Sequence, residues 1–308
     1  METGRHIDAL ERAGLDFVDA AERAGLDTPV PTCPEWTVRE LVQHLGYVHR
    51  WAATYIRDRR PTMLTDTEEA EAVGPMPADA DLVAWFQTGH TALVDLLRTA
   101  DPALACWHFL PSGSPLAFWA RRQAHETTIH RADLQGATGP MSGVDADLGI
   151  DGIDELLMGF YATTRARRLR CDTPCTLSVH ATDGANCEGP HSWTVHMHPT
   201  GATITRNPSP TPTLTPGPAP TPTPATTPLS TATSPTPAPP TPAPPTSAPP
   251  TPAPPTSAPP TSATCTLRGP ASDLYLALWN RRPTTDLHVE GDESVLTQWR
   301  TRATIRWT

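Results

Sequence analysis

Through the first 170 residues, apolar side chains recur three and four positions apart, the spacing of helix faces set against a core. "IDALERAGLDFVDAAERAG" carries one such face, and "DADLVAWFQTGHTALVDLLRTA" carries another. "TVRELVQHLGYVHRWAATYI" opens with Thr37 and Glu40 three apart, which predicts a capping box at the start of its helix. A fourth helix contains "RRQAHETTIHRADL", with Pro115 behind Ser114 as its start and Gly136 as its stop. "IDELLMGFYATTRARR" predicts a shorter fifth. Four long amphipathic helices most simply pack as a four-helix bundle.

After Cys175 the period changes to two. "TLSVHAT", "SWTVHMH" and "ATITR" predict short strands joined at Gly and Pro turns, and "ATCTLR", "PASDLYLALWNRR" and "SVLTQWRTRA" predict a strand and two helical pieces. Between these groups, residues 207–263 are nearly all Pro, Thr, Ala and Ser, and "TPAPPTSAPP" occurs twice in succession. Such a tract has no large side chains to bury, so it is expected to be an extended, solvated insertion of polyproline character. The chain beyond the tract is too short to bury much surface alone. It is expected to join 172–206, so that 172–206 and 264–308 form one small α+β domain behind a helical domain of residues 1–171. The long insertion is tolerable because loop closure grows only as the logarithm of length, and its removal in favour of a short turn is expected to leave the fold intact.

The net charge of −10 and pI near 5.6 leave no basic patch for nucleic acid or an anionic membrane surface. No apolar run approaches the roughly 20 residues that span a bilayer, and the charged opening "METGRHIDALERAG" is unlike a signal peptide. The six cysteines show no paired framework, which suits a reducing, cytoplasmic setting; Cys171 and Cys175, four apart, are a metal pair only if further ligands join them. All 23 basic residues are Arg, which excludes Schiff-base lysine chemistry.

Within the fourth helix, Glu126 and His130 lie one turn apart and can point at the same spot. His125 is five positions from His130 and diverges from it by about 140°. His44 sits mid-helix among Leu and Val positions and needs polar partners. Together with Glu126 and His130 it would make two imidazoles and a carboxylate, a set suited to zinc or another divalent ion with one position open. The same residues also fit a hydrogen-bonded core histidine and an ordinary helical pair. Glu40 and His44 repeat the four-residue spacing and could hold a second metal, but the capping box turns Glu40 towards the helix start. His49, five positions from His44, is expected on the surface. Trp36 is expected to pack at the helix start as an anchor, and His196 and His198 to share one face of a strand.

"CPEWTVRELVQHLGYVHRW" and "RRQAHETTIHRADL" closely resemble the two helix motifs of the mycothiol-dependent maleylpyruvate isomerase family, within the DinB-like metalloenzyme superfamily. "SWTVHMHPTGATITR" and "GPASDLYLALWNRR" resemble its C-terminal domain, which is sterol-carrier-protein-like. The resemblance covers nearly everything except the Pro-rich tract. It implies a DinB-like four-helix bundle followed by the small α+β domain, with His44, Glu126 and His130 as ligands of a divalent metal, zinc foremost. It also implies mycothiol as thiol cosubstrate and a small electrophile as the other partner. Arg281, in "LWNRR", falls where the family places an arginine near the substrate; its other reading is a helix-end arginine favoured by the dipole. His125 and Asp133 flank the ligands as candidates for moving a proton or supporting the metal site. The implied activity is isomerisation of a cis double bond or S-transfer. Its rivals are a thiol-independent metal hydrolase and a metal-stabilised module whose Pro-rich tract recruits a polyproline-recognising partner.

Overall fold

Capping chemistry marks where the long helices begin. In the computed structural model, which describes residues 1–184, 191–207 and 264–305, the Thr37 backbone N–H donates to Glu40 Oε2 at 2.8 Å and the capping box opens α2 (Val38–Arg57). Ser114 accepts from Ala117 N at 3.1 Å, and Pro115 takes the first position of α5 (Pro115–Thr138). Two further long helices are α1 (Thr3–Ala24) and α4 (Leu82–Thr99). α1 packs on α5 and α4, and α2 packs on α4 and α5.

One boundary and one short element differ from the sequence reading. α5 runs through Gly136 and stops before Gly139, because Gly136 makes room and does not turn the chain. A Cβ there would meet the Met141 methyl at 2.6 Å. A short helix unforeseen in the sequence, α3 (Asp66–Val73), starts on its own capping box from Thr65 and Glu68. It turns Glu69 onto Tyr47 Oη at 2.7 Å and Trp51 Nε1 at 2.8 Å.

The predicted fifth helix, residues 153–168, falls mainly on a wider, π-helical stretch over Glu155–Thr164, which continues an α-helix that starts earlier, α6 (Ala146–Asp154). A mixed sheet then forms from β1 (Cys175–Ala181), β2 (Ser192–His198), β3 (Gly201–Arg206), β4 (Cys265–Gly269) and β5 (His288–Gly291). Its order is β3-β2-β1-β4-β5, with β1 and β4 parallel and every other pair antiparallel. β1, in the middle, buries Leu177 and Val179 against Val195, Trp193 and Leu267 of its neighbours. α7 (Ala271–Leu278) packs against α6, and α8 (Ser294–Arg302) against β1. Helices and sheet share one apolar core, from Leu10 of α1 to Trp299 of α8. The Pro-rich tract lies outside the described residues except for Asn207. Among the described residues no helix is long and apolar enough to cross a membrane.

α5 departs from the amphipathic pattern of the other long helices. Its buried residues include nine polar side chains between Arg122 and Asp133. A helix covered on all sides while carrying so many polar groups needs specific partners for them.

Candidate functional site

α2 and α5 bring His44, Glu126 and His130 together. Glu126 Oε1 lies 3.4 Å from His44 Nε2 and 3.2 Å from His130 Nε2. The three candidate ligand atoms all fall within 4.8 Å of one another. Trp36, just before α2, packs its ring 4.9 Å from that of His44 and 6.3 Å from that of His130, so the anchor at the helix start also walls the cluster. Burial pushes the His44 pKa down. For Glu126, burial opposes ionisation, but hydrogen bonds from His130 and His44 and the charge of Arg122 outweigh it and hold the carboxyl well below its usual range. Burial likewise opposes a charged His130, yet Asp133 and Glu126 raise its pKa to about 9.

Behind His130 stands Asp133, completely buried. Its Oδ2 receives His130 Nδ1 at 2.9 Å, and its Oδ1 receives Thr32 Oγ1 at 2.5 Å and Arg281 Nε at 2.8 Å. Arg281 Nη2 completes a two-pronged pair with Oδ2 at 3.1 Å. Burial alone would raise the Asp133 pKa, and Arg281 and His130 reverse that and lower it. Cys33 Sγ approaches the same carboxylate at 3.8 Å, and burial followed by the Asp133 charge pushes its thiol up to about 11. Cys33 is therefore a thiol held protonated at neutral pH.

The other oxygen of Glu126 is held from within α5. Arg122 Nη2 donates to Oε2 at 2.8 Å, Nη1 is bonded to Glu155, and the guanidinium lies over the rings of Phe160 and Trp279. Arg122 is not among the residues expected from the sequence, although it stands four residues before Glu126 on the same face. Thr32 and Glu155 carried no spacing signal, because each reaches the site from another element.

Other candidate residues find their partners away from the cluster. His125 is not brought to the cluster: its Nε2 meets Asp151 Oδ1 at 2.8 Å and its Nδ1 meets Tyr275 Oη at 3.1 Å. His6 joins the same Asp151 oxygen at 3.0 Å, which makes a second group of potential metal ligands, but Arg121 Nε also occupies that oxygen at 2.6 Å. The arrangement is a carboxylate saturated by donors that ties α1, α5 and α6. Glu40 stays on its cap and does not pair with His44. His49 is buried, contrary to the expected surface position, because a rotation of about 140° from His44 carries it onto α4, where its ring faces Phe86 and His90 and its Nε2 bonds Thr127 Oγ1 at 2.8 Å. His196 and His198 bond Thr176 and Thr200, and Cys171 and Cys175 lie 3.9 Å apart at sulfur; among the described residues no third ligand joins either pair.

The donor set suits a small divalent cation. Bonds of about 2.0–2.2 Å around a tetrahedral ion separate neighbouring donors by about 3.4 Å, close to the 3.4 Å and 3.2 Å found here. A carboxylate on the far nitrogen of a ligating histidine is also the usual support for such a ring. Two family models match the chain: the mycothiol maleylpyruvate isomerase N-terminal domain over residues 7–135 and the MDMPI C-terminal domain over residues 147–298. No curated protein and no solved structure matches.

Proposed function

The chain belongs to the mycothiol maleylpyruvate isomerase family, and on that premise we propose an enzyme in which His44, Glu126 and His130 hold one divalent cation beside bound mycothiol. The observation that carries this reading is the convergence of both Nε2 atoms on Glu126 Oε1, at 3.4 and 3.2 Å. Two imidazoles and one carboxylate favour zinc and leave a position open. When bound, the cation supplies Lewis acidity that keeps a thiol in its nucleophilic, deprotonated form near neutral pH.

The chain's own groups do the rest. Arg122 keeps Glu126 ionised and turned towards the histidines, Asp133 holds the far nitrogen of His130, and Trp36 shields the rings from water. Arg281, its fork held by Asp133, borders a cavity of about 360 Å³ with Asn280, Arg282, Pro283 and Arg300, and the guanidinium groups of Arg282 and Arg300 suit a carboxylate on the electrophile. In an isomerisation, the sulfur adds to one carbon of a cis double bond, the resulting single bond rotates, and expulsion of the sulfur restores the double bond as trans with the thiol regenerated. In S-transfer the sulfur remains on carbon after displacing a leaving group or opening an epoxide. Asp133 touches a ligand residue and His125 does not, so support of the site falls to Asp133, and His125 has no step.

The same reading takes residues 1–171 as a DinB-like four-helix bundle and 172–206 with 264–308 as a sterol-carrier-protein-like domain. It places the protein in the cytoplasm, a setting supported by free Cys33, Cys106, Cys171, Cys175 and Cys265. Metal analysis, mycothiol titration and a maleylpyruvate isomerisation assay test the proposal, with epoxide conjugation as the assay for transfer. The parent should hold one divalent ion per chain and turn over only with thiol, and His44→Ala and His130→Ala should lose both properties. A parent that takes up no metal refutes the reading. Metal uptake with no thiol-dependent reaction points to the metal-stabilised module, and ester hydrolysis without thiol to the hydrolase.

A further inference from the structure

Just past α7, Asn280 adopts a left-handed backbone conformation, φ 61°, which Asn tolerates better than most residues. Its side chain ties the turn down by donating to the carbonyls of Arg300 and Ala303. Arg281 follows immediately, and its Nη1 donates to Trp279 O at 2.8 Å, which fixes one end of the guanidinium. The other edge, Nε and Nη2, lies flat against both oxygens of Asp133 at 2.8 and 3.1 Å. The partners are 148 residues apart in sequence, so this contact joins the segment after α7 to the end of α5. Asp133 in turn takes His130 Nδ1 at 2.9 Å.

We propose that Arg281 is a positioning residue which, through Asp133, fixes the ring plane of His130 and keeps a hydrogen on its Nδ1, so that Nε2 is presented to Glu126 and His44. A substrate contact, the role that family resemblance implies for Arg281, would leave the guanidinium edge free for a ligand; here that edge is committed to Asp133. The fork matters because two parallel N–H···O bonds set the carboxylate plane as well as its position. A fixed carboxylate plane sets the direction of the bond to Nδ1 and therefore the aim of the ring. The inference rests on the reading of His130 as a metal ligand and adds a residue from outside the α2–α5 pair to what makes that ligand competent.

The test compares full-length parent, Arg281→Ala, Arg281→Lys, Asp133→Asn and the Arg281→Ala/Asp133→Asn double variant. Competition with a chromophoric chelator reads Zn²⁺ affinity, and circular dichroism with thermal melting checks the fold. Arg281→Ala should weaken Zn²⁺ binding about 10- to 100-fold, the usual effect of removing support from a metal ligand. Asp133→Asn should do the same, and the double variant should be no weaker than the weaker single, because the two residues act in series. Arg281→Lys should recover part of the loss, since Lys restores the charge without the fork. A folded Arg281→Ala protein with parental Zn²⁺ affinity, or a double variant whose losses add, overturns the proposal.

A parent that takes up no Zn²⁺ would instead refute the metal reading. The positioning role is then decided by the His130 Nδ1 proton in the metal-free nuclear magnetic resonance spectrum. That resonance should be protected in the parent and lost in Arg281→Ala, and its persistence would overturn the role on its own. Should Arg281→Ala fail to fold, Arg281→Lys carries both measurements, and parental values for it would likewise count against the proposal.

Discussion

Replacing Arg122 with Met removes the charge between Glu126 and Glu155 while keeping most of the side-chain volume. The guanidinium is 2% exposed and the two carboxylates are 5% and 1% exposed, so neither carboxylate can turn to water for compensation. Breaking a buried pair by deleting one partner costs about 3–5 kcal/mol, most of it the stranded charge. Glu126 keeps His44 and His130 as donors, so Glu155 should carry the larger part of the loss. At about 2–4 °C per kcal/mol for a protein of this size, the melting temperature should fall by roughly 6–20 °C. Urea unfolding of parent and variant measures the free energy directly. The companion Arg122→Met/Glu155→Leu protein tests the mechanism, because replacing both partners with apolar groups removes the stranded charge. It should be more stable than the single variant. A loss below about 1 kcal/mol in Arg122→Met, or a double variant less stable than the single, would show that the ion pair is not what holds this face of α5 in place.

Stability should also fall in mild acid. Burial lowers the pKa of His49 and His90 below the ordinary 6.5, so below that pH the unfolded chain binds protons that the folded chain does not. Unfolding is then favoured by up to about 1.4 kcal/mol per pH unit for each ring; urea midpoints from pH 7.5 down to 5.5 should show the slope, shallower in His90→Leu, and an unchanged slope in that variant would refute the assignment. Replacing residues 208–261 with a two-residue turn should destroy the sheet, whereas a Gly/Ser linker of about 20 residues should preserve cooperative melting. Equal melting of the two deletion variants would contradict the strand directions.

That last expectation reverses the one drawn from composition, and the reason lies in long-range pairing. The repeats of the tract show only that it has little to bury. They do not show that β3 and β4 are separated by β2 and β1 and run in the same direction, which follows from the antiparallel β1/β2 and β2/β3 pairs and the parallel β1/β4 pair. A connection between strands of the same direction must return along their length before the second begins, which a tight turn cannot do. Period-two patterning identifies a strand and its buried face, but carries no information about which strand lies beside it.

The site divides along the same line. His44, Glu126 and His130 were legible because one pair sits at helical spacing and the third interrupts an apolar face; α5 then packs beside α2 and makes the three coincide. The angle on the helix turns His125 away from His130, yet its place beside the ligands kept it a candidate, and only Asp151 and Tyr275 show where both ring nitrogens go; His49 is misplaced because that angle excludes one neighbour without naming the other. α4 supplied the neighbour, so rotation away from His44 led into another part of the core. Arg281 shows the deeper limit. A motif can place an arginine near a site, but whether its guanidinium serves a substrate or a carboxylate of the protein depends on Asp133, which lies 148 residues earlier and is completely buried. In water the pair would be worth little. Enclosed by α5 and the turn after α7, it couples the C-terminal segment to the aim of His130, so a change in the packing of α7 would be felt at the candidate metal site without any residue of that site being altered.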